Sequence, residues 1–164
     1  MDVCDVSYRS ATVDDSLNLA NLLWEMITEE ELNRMNLDLD DHDLKNEYIS
    51  ACNNHIKHRL GTDLYCFIAG ANGLIVSHIF ILITQKMPKL GRPNASYARL
   101  SSVRTINEYR NKGIGSVLME HVVIFCKEKN AEEIIVWPSK KSVRFYENAG
   151  FSSENKIMEI DFFD

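Results

Sequence analysis

The stretch "INEYRNKGIGSVLME", residues 106–120, passes from a strand-like run to a helix-like one through an arginine, two residues, a glycine, any residue and a second glycine. Ahead of it, "SYARLSSVRTI" reads as a strand. Behind it, Ile114, Val117, Leu118, Val122 and Phe125 recur at helical spacing. Two glycines so close together let the backbone turn tightly and approach a ligand. A helix start adds unpaired N–H groups and a positive dipole end, so a turn of this kind suits a phosphate.

Three phosphate-binding turns compete. A P-loop needs Gly-Lys-Ser/Thr after its spacer, but Lys112 precedes the glycine here and no Gly-Lys-Ser/Thr occurs in the chain. A dinucleotide fingerprint needs a third glycine where this chain has Leu118, and it usually opens the first βαβ unit rather than lying two-thirds of the way along. An arginine-led turn remains, whose N–H groups from about residue 111 to 116 face a pyrophosphate, with charge from Arg110 and Lys112.

The rest of the chain frames this turn. The chain has 164 residues, 45% apolar and 26% charged, which suits one ordinary domain over 1–164. Its acidic start lacks the apolar run of a secretory signal, and "GLIVSHIFILI" is far short of a transmembrane helix. Cys4, Cys52, Cys66 and Cys126 are widely spaced with no Cys-x-x-Cys pair, so reduced thiols in a cytoplasmic protein are expected, with no metal. Residues 1–60 carry a net charge of −8 and residues 85–151 a net charge of +6. That split suits an anion on the second half and a neutral or cationic partner on the first; nucleic acid and membrane are not expected partners.

"DVSYRSA" reads as a strand, "LNLANLLWEMI" as a helix facing inward through Leu17, Ala20, Trp24 and Ile27, and residues 38–60 as a second helix. "LYCFIAG" and "LIVSHIFILI" flank Asn72-Gly73, a hairpin signal. "EEIIVWP", "SKKSVRFYENAG" and "KIMEIDFF" follow as strand, helix and strand. The order predicts a mixed α/β sheet flanked by helices.

"YRNKGIGSVLM" resembles the acetyl-coenzyme A pyrophosphate motif of the GCN5-related N-acetyltransferases (GNAT), and "SVRFYENAGF" resembles their second motif. The likeness covers roughly residues 96–152. It implies a mostly antiparallel central sheet with a splayed strand pair at the cofactor cleft. It further implies acetyl transfer from acetyl-CoA to a primary amine by direct attack. Val103, Arg104 and Thr105 would meet the pantetheine arm, and Arg110, Asn111, Lys112, Gly113, Ile114, Gly115 and Ser116 the pyrophosphate. Ser142 stands where relatives often carry alanine in the second motif, and joins the cofactor set. Tyr146 matches the tyrosine near the coenzyme sulfur and is the expected general acid. Lys140, Lys141 and Arg144 are candidates for the 3′-phosphate.

The chain departs from the pattern at Asn107, Ser139 and Ser142, and more seriously at "RLSSV", where many relatives carry a glutamate as general base. Either a base comes from elsewhere, with Glu25 acting through water the candidate, or no side-chain base is needed; Trp24 and Glu25 are the expected acceptor contacts. The acidic first half leans toward a small or cationic amine. Family members are often dimers, so a homodimer is one assembly the resemblance allows. A non-catalytic acyl-coenzyme A-binding or sensing module is the competing reading. Valine at Gly113 or Gly115 is expected to weaken coenzyme binding more than it unfolds the chain.

Overall fold

The structure, a computed structural model, describes residues 5–27, 35, 42–154, 157, 158 and 160. Five strands form one sheet in chain order: β1 (Ser7–Ser10), β2 (Leu64–Ala71), β3 (Leu74–Gln85), β4 (Ser96–Thr105) and β5 (Ala131–Ile135). The first four pair antiparallel, and β5 runs parallel to β4. The sheet is therefore mixed and mostly antiparallel, as the sequence implied. The final strand expected over 156–163 lies outside the described residues apart from Ile157, Met158 and Ile160.

The α-helices among the described residues are α1 (Ser16–Trp24), α2 (His42–Arg59), α3 (Ile114–Glu128) and α4 (Val143–Asn148). The β2–β3 hairpin turns where it was expected. Its two central residues, Asn72 (φ 52°) and Gly73 (φ 76°), are both left-handed, which matches the right-handed twist of the flanking strands.

Strands β2 and β3 read as continuous apolar runs because both of their faces are covered. Phe67, Ile79, Ile81 and Ile83 pack on one face with Leu118, Met119 and Val122 of α3. Cys66, Ile68 and Phe80 pack on the other face with Leu19 of α1 and Ile56 of α2. The inward faces of two helices differ in part from the expected ones. Leu17 is 52% exposed and Leu19 takes its place in the core, while Val117 of α3 is exposed and Met119 and Cys126 are buried.

The entry to α1 is fixed by a fork of charge. Arg9 on β1 donates through Nη1 and Nη2 to the two carboxylate oxygens of Asp15, at 2.7 and 2.8 Å, and the Thr12 N–H donates to Oδ2 at 2.8 Å. These bonds, the arginine fork foremost, hold the Asp15 carboxyl down to about 2. A carboxyl whose pKa falls on folding adds stability above its unfolded value near ~4. That stability disappears as pH drops through about 2. Arg9 is half exposed, so screening trims the gain to about 1–2 kcal/mol at neutral pH. Denaturant unfolding of Asp15→Asn and wild type should therefore differ by that amount at pH 7. The gap should close as pH falls from 4 toward 2; a gap that stays constant over that range would mean the ion pair is not its source.

Candidate active site

The site begins where the sheet opens. Parallel pairing between β4 and β5 runs Ser96↔Ala131, Ala98↔Ile134 and Arg99↔Ile135, and stops there. From Leu100 to Thr105, β4 keeps its β3 partners except at Ser101, and among the described residues it has no partner on the β5 side. Within this stretch Phe80 faces Ser102 and Ile81 faces Leu100, so Ser101 is an extra, bulged residue.

A cleft of about 710 Å³ occupies the opening. Val103, Arg104 and Thr105 form one wall, and Ser139, Lys141, Ser142, Phe145 and Tyr146 the other. Its mouth is made by Asn107, Tyr109, Arg110, Asn111 and the run from Gly113 to Ser116, and Glu25 and Met26 of the α1 exit close the far end. A second cavity of about 320 Å³ lies along β5 and shares Tyr146, but it contains none of the turn residues. The larger cleft, which gathers both motifs, is the candidate site.

At the mouth the backbone inverts twice, at Asn111 (φ 58°) and Gly113 (φ 78°). Asparagine and glycine are the residues that reach this conformation at least cost. The first α3 backbone bond runs from the Val117 N–H to the Gly113 carbonyl at 3.1 Å, so the N–H groups of Ile114, Gly115 and Ser116 precede it and are open to an anion. Arg110 donates from Nε to the Thr105 carbonyl at 2.9 Å, which ties the turn to the end of β4. Lys112 sits over the Tyr109 ring, 5.3 Å from its centroid, and is not among the residues lining the cleft.

Gly115 has a different reason. A Cβ there would lie 3.3 Å from Thr105 Oγ1 and 3.4 Å from Phe145 Cε2, so the missing side chain lets α3 press against β4 and α4. The Ser139 and Ser142 hydroxyls lie 3.0 Å apart, and Ser142 donates through Oγ to the Ser139 carbonyl at 3.0 Å. They therefore shape the turn into α4 and also line the cleft.

Tyr146 is buried, edge-on to Phe145 and Phe151, and burial raises its pKa. Among the described residues its hydroxyl has no hydrogen-bond partner. It is a neutral phenol at the cleft wall with a proton to give. At the far end, Glu25 is 57% exposed and its Oε2 lies 3.5 Å from Arg104 Nη2. Trp24, its neighbour, turns inward instead: it is 7% exposed and its ring meets Tyr48 at 5.6 Å. The structure thus brings Glu25 to the cleft and leaves Trp24 in the contact between α1 and α2.

The sequence reading missed Met26, Tyr109 and Phe145 as cleft residues, and it missed His78. This histidine interrupts the apolar run of β3, which was the available signal. It is 1% exposed, and its Nε2 lies 3.0 Å from Ser102 Oγ. Burial first, and then the Arg104 cation, push its pKa down to about 4. At neutral pH it is an uncharged partner for Ser102, not an available cation. On α2, His55 Nε2 lies 3.3 Å from Arg59 Nη1 and His58 Nδ1 lies 2.7 Å from the Asn54 carbonyl.

A profile of the Acetyltransferase (GNAT) family matches residues 20–151, the span that contains both walls of this cleft. The chain belongs to the GNAT family. A glucosamine 6-phosphate N-acetyltransferase from Trypanosoma brucei brucei is 26% identical to this GNAT chain over 106 residues, 65% of the chain and 70% of the relative. An acetyltransferase of known structure from Trypanosoma brucei superposes with a TM-score of 0.70 at 21% identity, covering 96% of this chain and 99% of the other. A predicted acetyltransferase with acetyl-CoA from Clostridium acetobutylicum superposes at 0.66 with 20% identity, covering 96% of each chain. At these identities the two structures show the fold. Among the described residues, no helix of this GNAT chain is long and apolar enough to cross a membrane.

Proposed function

We propose that residues 1–164 form one acetyl-CoA-dependent N-acetyltransferase domain that moves acetyl to a primary amine by direct attack. One observation carries the reading: Tyr146, whose hydroxyl has no hydrogen-bond partner among the described residues, lines the cleft that also holds the doubly inverted turn before α3 and the unpaired edge of β4. A diphosphate fits the free N–H groups of Ile114, Gly115 and Ser116, and an extended amide-bearing arm fits beside Val103, Arg104 and Thr105. Acetyl-CoA supplies an activated thioester carbonyl for the amine to attack. An N–H near Val103 meets the charge that develops on the carbonyl oxygen. Tyr146 gives its proton to the departing sulfur; a phenol is protonated at neutral pH, and burial raises its pKa further, so that proton is present when the C–S bond breaks. Glu25 takes the amine proton through water.

The exposed Glu25 carboxylate and the acidic first half support a small or cationic amine as acceptor. The relative named above makes glucosamine 6-phosphate one amine to include in a screen. Free thiols at Cys52, Cys66 and Cys126 suit a reducing compartment such as the cytoplasm.

Acetyl-CoA at 100 times its dissociation constant should stabilise the fold by about 2.7 kcal/mol. The measurement is melting temperature with and without saturating acetyl-CoA, followed by free-thiol release over a panel of sugar amines, polyamines, amino acids and peptides. An unchanged melting temperature would remove the coenzyme assignment. Binding without thiol release from any amine would favour a coenzyme-sensing module, the reading that the absence of a carboxylate at Ser101 and Ser102 favours.

A further inference from the structure

Arg104 does two things at once. Its backbone belongs to the unpaired stretch of β4: it faces His78 across the β3 ladder, and its carbonyl accepts a bond from Ser77 Oγ at 2.9 Å. Its side chain leaves the sheet altogether. Nη1 donates to the Leu22 carbonyl at 2.7 Å, and Nη2 lies 3.5 Å from Glu25 Oε2. The guanidinium is only 17% exposed, so it is a cation held largely out of water against the last turn of α1. The C-terminal end of a helix is where a cation is favoured, because unpaired carbonyls and the negative dipole end meet there. One residue therefore spans from the wall beside the proposed coenzyme arm to the carboxylate at the proposed acceptor end.

We propose that Arg104 is a positioning residue that fixes Glu25 and the exit of α1 at a set distance from the β4 edge, so that ordering of the edge by the coenzyme also orders the acceptor end. This rests on the acetyl-CoA reading, since the coupling needs an arm along β4. A lysine could supply the charge but has no planar fork to reach a carbonyl and a carboxylate together. Glutamine could reach one of them without charge.

The test is amide hydrogen exchange on the full chain with acetyl-CoA as the probe, so that no acceptor need be known. The reporting amides are those of Glu25, Met26 and Ile27, which bond to the carbonyls of Asn21, Leu23 and Trp24. In the free protein Arg104→Gln should speed exchange at these three at least about 10-fold while α3 amides stay within about 2-fold, and Arg104→Lys should fall between. In the wild type saturating acetyl-CoA should slow the same amides by about 5-fold or more, and Arg104→Gln should abolish that slowing at coenzyme concentrations that saturate the variant in its own titration. A merely structural arginine would change the free-state rates but leave the coenzyme-dependent slowing intact. Persistence of that slowing in both variants overturns the proposal, as do unchanged free-state rates. If Arg104→Gln loosens α3 as well, Arg104→Lys carries the comparison. Failure of the wild type to bind acetyl-CoA is a separate result: it sinks the underlying assignment, and the free-state rates alone then decide whether the tie exists.

Discussion

Tyr146→Phe should lower turnover by about 100-fold, equivalent to about 2.7 kcal/mol, while leaving the melting temperature within about 2 °C of wild type. The two halves of this expectation have different grounds. The ring packs edge-on with Phe145 and Phe151, and phenylalanine keeps that contact. The hydroxyl has no partner among the described residues, so its removal strands no donor or acceptor. What is lost is the proton for the leaving sulfur, an interaction of the transition state, so coenzyme affinity should hold and the rate should fall. Turnover at saturating amine, with melting temperature as control, makes the comparison. A folded phenylalanine variant with near-normal turnover would leave Tyr146 as a packing residue.

The two glycines of the turn should fail in different ways. Gly113 has open space around it but sits at φ 78°, so valine there costs about 1–2 kcal/mol of backbone strain and distorts the anion-facing N–H groups. Its expected effect is a loss of acetyl-CoA affinity of about 100-fold or more, close to 2.7 kcal/mol, larger than its cost to the fold. Gly115 has ordinary backbone but touches Thr105 and Phe145 where a Cβ would go. Valine there overpacks the α3–β4–α4 junction, at about 1–3 kcal/mol, and coenzyme affinity falls along with stability. Calorimetric affinity beside denaturant midpoint separates the two cases. Normal binding by Gly113→Val would mean that the turn does not hold the phosphate. The expectation that valine weakens coenzyme binding more than it unfolds the chain is therefore kept for Gly113 and revised for Gly115, whose neighbours are protein atoms.

Local chemistry was legible in the sequence, and contact across the chain was less so. The Asn72-Gly73 hairpin and the inversion at Gly113 are read from adjacent residues, because the backbone conformation they require belongs to those residue types. The apolar runs gave β2 and β3 but not the helices that cover them. The expected inward face of α1 holds at Ala20 and Trp24, but the core also takes Leu19 and leaves Leu17 exposed, a choice that helical spacing alone does not make. The Gly115 contact with Phe145, the bulge at Ser101 and the inward turn of Trp24 depend on partners set by tertiary structure, as does the Lys112 contact with Tyr109. Arg104 lies on the cleft wall, but nothing in its sequence neighbours announced that its side chain reaches α1.

The seam left open beyond Arg99 has a further consequence for how the chain keeps company with others. A row of unpaired backbone groups is a template for any extended peptide, and natural sheets guard such edges with bulges, charge or cover. Here the bulge at Ser101 breaks the register, and Phe145 and Tyr146 stand across the opening. The features that shape the site are thus also the ones that discourage strand addition. Straightening β4 to lodge a longer acyl group would trade selectivity among ligands for a greater tendency of the protein to stick to itself.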